Sequence, residues 1–187
     1  DGTNNFASGY PKFATAVAAL HNETPVAAAI YEPLTEDLYL AERDAGATLN
    51  GESLSATTSL PLEYGTVALV VGLSVVTDPD GLTQVRALEA ALRGQCKRVV
   101  TTWAPCVDWG LLTRGSIEGL VCVQPDIYEQ HAGSLLAAES GIIADDTVNE
   151  TGRYVGSPDG AVTAGLRAVV DDVLGLESDS INDQCET

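Results

Sequence analysis

The order of its apolar segments constrains the fold of this 187-residue chain more than any other feature. In the first third, short apolar segments are separated by turn residues, which is typical of an antiparallel meander. In the second half, strand-like and helix-like segments alternate, which is typical of helices packed on sheets. The pattern therefore predicts an α/β (α+β) layered architecture. We expect one domain over residues 1–176 and an acidic tail over residues 177–187.

The predicted strands of the first half follow short apolar segments and turn residues. They are Phe13–Leu20, Pro25–Tyr31 and Asp37–Glu42, with a turn at Asn50-Gly51. Because Phe13–Leu20 consists of small and apolar residues, we expect it to be a buried strand. Thr66–Val76 is almost continuously apolar, which predicts a strand buried on both faces.

Helices of the second half are predicted where apolar residues recur at helical spacing or follow a proline. The expected helices are Leu82–Leu92, Pro105–Thr113, Asp126–Ser140 and Ala161–Leu176, and the expected strands are Lys97–Thr101, Ile117–Val123 and one that begins at Ile142.

The composition is strongly acidic, with 27 acidic residues against 9 basic ones and a net charge of −18. Nucleic acids and anionic membranes bind clustered basic residues, so we expect neither as a partner. An acidic, lysine-poor surface stays soluble where salt screens charges, which indicates a halophilic, cytoplasmic protein. An ordinary acidic protein is the alternative.

Motifs for several common sites are absent from the sequence. The four cysteines show no C-x-x-C spacing, so we expect reduced thiols rather than a zinc site or disulfides. There is no G-x-S-x-G, no Walker A motif and no G-x-G-x-x-G, which leaves hydrolase-triad and nucleotide-fold hypotheses without support. No apolar run is long enough to span a bilayer.

The chain begins with a dense polar stretch, Asp1-Gly2-Thr3-Asn4-Asn5. Carboxylates bind hard cations, and glycine lets backbone N–H groups approach an anion closely. This chemistry suits a metal or phosphate site. An Asp-Gly turn with polar neighbours is the simpler interpretation of the residues alone.

A second polar stretch, Asp126–Gly133, opens a predicted helix. Asp126 and Glu129 either present carboxylates to a ligand or form a capping box, in which Glu129 reaches back to the helix start. His131 lies in the same stretch. Its side chain is either packed in the protein or solvated, or it contacts a substrate phosphate.

The order of these motifs resembles the inositol monophosphatase family of magnesium-dependent phosphatases. The first metal motif of the family is D-P-I-D-G-T followed by N-F, and Asp1–Phe6 is similar to its second half. Gly46–Gly51 is similar to the family turn G-A-x-x-N-G, and Tyr128–Gly133 is a degenerate form of W-D-x-A-A-G. Val107–Trp109 and Gly115 match the helix and glycine that precede this second motif.

The resemblance implies an α-β-α-β-α sandwich that lacks its N-terminal helices and first strands here. It also implies hydrolysis of inositol monophosphate or a related sugar phosphate by water that Mg²⁺ activates. Asp1 would bridge metal ions, and the Thr3 hydroxyl would orient the water. Gly2 and Thr3 would offer backbone N–H groups to the phosphate. Glu129 stands where the family has a metal-binding aspartate, so we expect it beside both metal and phosphate. A homodimer is also implied.

The metal motifs depart from the family pattern in two ways. The first aspartate of D-P-I-D-G-T and a glutamate further upstream have no counterpart in this chain, and neither do the long N-terminal helices. We therefore expect a fragment of a longer protein, with exposed apolar surface and no activity alone. Glu129 is also one methylene longer than the family aspartate, which shifts its carboxylate by roughly an ångström.

The predicted substrate pocket departs from the pattern as well. Trp103–Cys106 replaces a step of small residues that shapes the family pocket, and Cys122 stands where many members place a substrate-contacting acid. The alternatives are a fructose-1,6-bisphosphatase or nucleotide 3′-phosphatase of the same superfamily, or a catalytically degenerate binding or regulatory homologue.

Overall fold

The computed structural model of the protein describes residues 1–57 and 60–175. The tail expected over residues 177–187 lies outside the described residues. The elements of the first part are α1 (Thr3–Ser8), β1 (Thr15–His21), β2 (Thr24–Glu32), β3 (Asp37–Glu42), β4 (Gly46–Leu49) and β5 (Glu52–Leu54). Those of the second part are β6 (Thr66–Val71), α2 (Leu73–Val76), α3 (Pro79–Leu92), β7 (Arg98–Val100), α4 (Pro105–Thr113), β8 (Gly119–Val123), α5 (Ile127–Glu139), β9 (Ile143–Thr147), α6 (Val148–Thr151), β10 (Arg153–Ser157) and α7 (Gly160–Leu174).

The first sheet is the predicted meander, with strands β1-β2-β3-β4-β5 in sequence order and every pair antiparallel. The predicted turn at Asn50-Gly51 is confirmed, since both residues have positive φ, 52° and 86°. This geometry suits a tight hairpin because asparagine and glycine tolerate it. The prediction of a buried first strand is wrong. β1 is an edge strand, and its outward residue Val17 is 65% exposed.

The second sheet has the order β7-β6-β8-β10-β9. β6 runs parallel to β7 and β8, whereas β10 is antiparallel to β8 and β9. β6 and β8 carry nearly continuous apolar sequences because each is covered on both faces.

Helices and sheets alternate in layers. α4 and α5 lie between the two sheets, and α3 and α7 pack together on the far face of the second sheet. One apolar core surrounds α4 and α5, and a second fills the space between the second sheet and the α3–α7 pair. The predicted layered architecture is confirmed over the described residues, as a β-α-β-α stack.

The prediction of one strand over Thr66–Val76 is wrong, because the strand ends at Val71. At Gly72 the chain passes so close to the Gln124 carbonyl that a Cβ would lie 1.8 Å from its oxygen. The apolar residues that follow form the short helix α2. Leu73 is 62% exposed there, so this apolar residue lies at the surface instead of in the sheet.

Further elements of the described residues that were not predicted are α1, β5, α6 and β10. Helix α3 also begins earlier than expected, because Asp78 caps it by accepting a hydrogen bond from the Gly81 N–H at 2.7 Å. β10 joins β8 to β9 and thereby completes the second sheet.

The outer face of the first sheet exposes apolar side chains, as expected. Strand alternation turns Ala28, Ile30 and Tyr39 inward. The outward residues of the same sheet include Val17, Ala27, Ala29, Leu38 and Leu40. We call these five residues the outer apolar face.

Within residues 1–57 and 60–175, no helix is long and apolar enough to cross a membrane. Cys96, Cys106 and Cys122 are buried with free thiols. Cys185 lies outside the described residues.

Candidate active site

A cleft of about 790 Å³ opens where α1, the end of β6, the loop before α4 and the start of α5 meet. It is lined by Asp1, Gly2, Thr3, Asn4, Asn5, Ser8, Leu69, Val70, Val71, Leu73, Thr101, Trp103, Pro105, Asp108, Asp126 and Glu129. The two polar stretches singled out in the sequence therefore meet at one cleft, although more than 100 residues separate them along the chain.

Asp1 is held against the start of α4. Its Oδ2 accepts a hydrogen bond from the Cys106 N–H at 2.8 Å. Its backbone carbonyl accepts another from the Ala14 N–H at 3.1 Å, just before β1. The N-terminal turn of a helix attracts negative charge, so the position of Asp1 is favourable without a metal as well.

Gly2 makes a turn that other residues do not fit. Its φ is 74°, and a Cβ would lie 2.8 Å from the Lys12 carbonyl oxygen and 2.9 Å from Phe13 Cα. α1 begins directly afterwards at Thr3, whose exposed side chain lines the cleft. The turn interpretation and the site interpretation of this stretch are thus compatible, because the turn brings the residues to the cleft.

Asn5 connects this first turn to the loop before α4, a role that the sequence did not indicate. The side chain is buried, and its Nδ2 donates to the Lys12 carbonyl at 2.7 Å and to the Thr102 carbonyl at 2.8 Å. Both partners are backbone groups, and one lies 97 residues away. No local sequence pattern encodes such a contact.

The start of α5 brings two carboxylates to the cleft. Asp126 occupies the N-cap position, but its side chain makes no capping hydrogen bond. The capping-box interpretation of Asp126 and Glu129 is therefore wrong. Glu129 is half-buried, and its Oε2 is buried with no hydrogen-bond partner among the described residues. Burial raises the pKa of Glu129, and the nearby Asp126 carboxylate raises it further.

Gly133 lets α5 approach α4 closely. A Cβ at this position would lie 2.3 Å from atoms of the Trp109 indole. Trp109 is buried and also packs on Tyr154, with 4.6 Å between ring centroids. The glycine of the second motif therefore sets the packing of the helix that carries Glu129.

Asp108 is a buried carboxylate behind the cleft, and no site role for it was predicted. It is 1% exposed, and its Oδ2 accepts a hydrogen bond from the Thr102 hydroxyl at 2.8 Å. Its Oδ1 has no partner among the described residues. Burial raises its pKa from the usual 3.8 to about 7. The sequence feature that could have indicated a role for Asp108 is its position as a carboxylate within the otherwise largely apolar helix α4.

The other singled-out residues do not face the cleft. His131 is half-buried and lines a separate pocket of about 250 Å³ on another face of α5. Cys122 is fully buried in β8, where burial raises the pKa of its thiol well above the usual value. The thiol is therefore neutral and is not equivalent to a substrate-contacting acid.

The cleft is acidic. Its lining includes four carboxylates, and no lysine, arginine or histidine is among the described residues that line it. Walls of one charge sign attract ions of the opposite sign, so the cleft favours cations. A phosphate dianion would be repelled unless a cation accompanied it.

The oxygen-only donor set of the cleft fits Mg²⁺ better than a softer metal. Over residues 1–57 and 60–175, no three or more His, Cys, Asp or Glu side chains lie close enough together to hold an ion by themselves. Mg²⁺ commonly takes one or two carboxylates and completes its shell with waters and phosphate oxygens. Asp1 and Glu129 suit that form of binding.

The fold and the cleft together define a layered α/β protein with an acidic site at the end of β6, beside the starts of α4 and α5. Residues 1–174 match the inositol monophosphatase family, and the chain belongs to that family. The fold and family resemblance inferred from the sequence are thereby confirmed.

Known proteins are similar over most of the chain. Nus factor SuhB from Escherichia coli (strain K12) is 28% identical over 183 residues, which are 98% of this chain and 66% of that protein. A fructose-1,6-bisphosphatase/inositol-1-monophosphatase from Thermococcus kodakarensis is 32% identical over 162 residues, which are 82% of this chain and 54% of that protein. The structure of an inositol monophosphatase from Anabaena superposes with a TM-score of 0.80 at 21% identity, covering 92% of this chain and 69% of that one. The chain thus spans less than two thirds of the length of these two sequence relatives.

Proposed function

We propose that this protein is a Mg²⁺-dependent phosphomonoesterase that hydrolyses inositol monophosphate or a related sugar phosphate. The observation that carries the proposal is the meeting of Asp1 and Glu129 at one acidic cleft, where the buried Glu129 Oε2 has no hydrogen-bond partner among the described residues. An unpartnered buried carboxylate oxygen is costly unless a ligand satisfies it.

Different residues of the cleft would bind the cation and the phosphate. Asp1 and Glu129 would hold Mg²⁺, which would neutralise phosphate charge and lower the pKa of a water when bound. Gly2 and Thr3 would donate backbone N–H groups to the phosphate. The Thr3 hydroxyl would orient the attacking water, since it is exposed at the cleft.

The ligand set also limits the activity that we expect. Two carboxylates bind Mg²⁺ weakly, and glutamate in place of aspartate changes the reach of one of them. We therefore expect Mg²⁺ and phosphate to bind together and hydrolysis to be slow.

A thermal-unfolding experiment tests this proposal. Mg²⁺ and inorganic phosphate together should raise the Tm more than either does alone, because each neutralises the other in the cleft. Glu129→Gln should abolish the joint effect. Glu150→Gln is the matched control, since Glu150 is exposed in α6 and does not line the cleft. Equal shifts in the wild type and Glu129→Gln would refute the assignment of Glu129.

A non-catalytic factor is the second candidate. The name of the Escherichia coli relative, Nus factor SuhB, does not refer to a phosphatase activity. The presence of Glu129 where the family pattern has an aspartate is compatible with a loss of catalysis. A wild-type Tm that is indifferent to Mg²⁺ and phosphate together would favour this candidate. The net charge of −18 still argues against direct nucleic-acid binding.

A further inference from the structure

Trp103 lies at the cleft in a backbone conformation that bulky residues rarely adopt. Its φ is 58°, in the left-handed region, and its side chain is 54% exposed. A bulky residue there carries a conformational cost, and such residues persist where the surrounding structure holds them. Exposed tryptophan also leaves a large apolar surface in water.

The loop around Trp103 is firmly held. The flanking residues Thr102 and Ala104 are buried. The Thr102 hydroxyl donates to Asp108 at 2.8 Å and accepts from the Ala104 N–H at 3.1 Å. The Thr102 carbonyl accepts from Asn5 at 2.8 Å. The neighbours are thus fixed in the interior, and the backbone turn leaves the indole at the cleft.

The rest of the cleft restricts what could lie against this indole. Leu73, 62% exposed on α2, and Pro105 also line the cleft. The described lining supplies no basic side chain that could hold a second phosphate. A bisphosphate would therefore bring a charged group that the cleft cannot neutralise, whereas an uncharged flat ring would cover apolar surface.

We propose that Trp103 is a specificity-determining residue that stacks on an uncharged aromatic ring in the alcohol part of a phosphate monoester. The inference rests on the proposed function for its phosphate end and on Trp103 for its ring end. It narrows the proposed substrates to sugar phosphates that carry such a ring, which inositol monophosphate does not. Stacking of a base on an aromatic side chain changes affinity by roughly 5- to 150-fold when the side chain is removed.

Three probes separate the two ends of such a ligand. Adenosine 5′-monophosphate carries ring and phosphate, ribose 5-phosphate carries only the phosphate end, and adenosine carries only the ring end. Binding to the full chain with Mg²⁺ is measured by calorimetry and by tryptophan fluorescence. Trp109, the other tryptophan, is only 1% exposed, and comparison with a variant that lacks Trp103 shows how much of an emission change comes from Trp103.

Trp103→Asn is the main variant, because asparagine tolerates the left-handed region and the site is exposed. It should weaken adenosine monophosphate roughly 5- to 150-fold and leave ribose 5-phosphate within about twofold. Trp103→Phe should keep most of the affinity. Tyr128→Asn is the control, since Tyr128 is an 84% exposed aromatic residue that does not line the cleft.

The outcomes distinguish this inference from the proposed function. Equal affinity of the wild type for adenosine monophosphate and ribose 5-phosphate would overturn the role of Trp103 and leave the phosphate site intact. Adenosine binding that depends on Trp103, without any effect of the phosphate, would support the ring site and contradict the proposed function. Equal loss of both phosphates in Trp103→Asn would also overturn the inference.

Discussion

The Asp1 carboxylate accepts a hydrogen bond from the Cys106 N–H at 2.8 Å, across 105 residues of sequence. The bond joins the first residue to the first turn of α4. Asp1 can therefore act in two ways, as a structural acceptor and as a charged ligand. The two roles make different demands, because only the second one requires the negative charge.

Asp1→Asn and Asp1→Ala separate these roles. The asparagine variant keeps an oxygen that can accept from Cys106, so its free energy of unfolding should stay near that of the wild type. The alanine variant loses the bond and should be destabilised by about 1–3 kcal/mol. Both should lose the joint effect of Mg²⁺ and phosphate on the Tm. An intact joint effect in Asp1→Asn would show that the charge of Asp1 does not bind the ion.

The raised pKa of Asp108 predicts a pH-dependent stability. The folded carboxyl has a pKa of about 7 against 3.8 for the ordinary group, so the folded state holds its proton more tightly. This contribution to stability is fully present below the ordinary pKa and is lost as the pH rises to about 7. Between these two pKa values the free energy of unfolding falls by up to about 1.4 kcal/mol per pH unit, because the folded state binds one proton more than the unfolded state.

Asp108→Asn should remove this slope, because the amide cannot ionise and its oxygen can still accept from Thr102. Urea unfolding across the same pH range measures the difference between wild type and variant. Asp172→Asn is a suitable control, since Asp172 is exposed on α7. Parallel pH profiles for the wild type and Asp108→Asn would contradict the prediction.

Replacement by alanine should destabilise the protein at Gly133 and stabilise it at Gly165. Gly133→Ala would force a methyl group against Trp109, where a Cβ lies 2.3 Å from the ring, and should cost about 1–3 kcal/mol or more. Gly165→Ala on α7 meets nothing within 4 Å among the described residues and should stabilise by about 0.5–1 kcal/mol through helix propensity. Thermal unfolding of both variants checks the pair. A neutral Gly133→Ala would mean that α4 and α5 are not locked together there.

Local sequence patterns predicted several elements with the correct bounds, from alternating apolar residues or from a proline at the start of a helix. Pro105–Thr113 is a helix with the expected bounds, and Asp37–Glu42 is the expected strand. Thr66–Val76 was misread because hydrophobicity does not distinguish a buried strand from apolar residues at a cleft edge. Gly72 marked the end of the strand, but its close approach to Gln124 is a tertiary contact.

The candidate site was predictable only in part. Asp1 and Glu129 could be singled out because the order of motifs resembled a family, and the structure places both at one cleft. Asn5 and Asp108 act through hydrogen bonds to Thr102, and no spacing in the sequence encodes those contacts. The residues Asp126 and Glu129 have the spacing of a capping box, but the Asp126 side chain makes no capping hydrogen bond in the structure.

The outer apolar face predicts association between molecules. Val17 is 65% exposed and Leu40 is 43% exposed, on neighbouring parts of one sheet. Contiguous apolar surface of this kind is uncommon on monomeric proteins and marks contact surfaces. We therefore expect the 187-residue chain to self-associate through this face as its concentration rises.

Leu40→Lys tests this association, because a charge at the centre of the first sheet is costly to bury between molecules. Sedimentation should shift toward the monomer in this variant. Leu34→Lys makes the same change of size and charge in the turn between β2 and β3, where Leu34 is 57% exposed away from the outer apolar face, and should leave association unchanged. The same shift in both variants would trace it to net charge instead of the face. A wild-type chain that stays monomeric at all concentrations would show that the exposed face does not drive association.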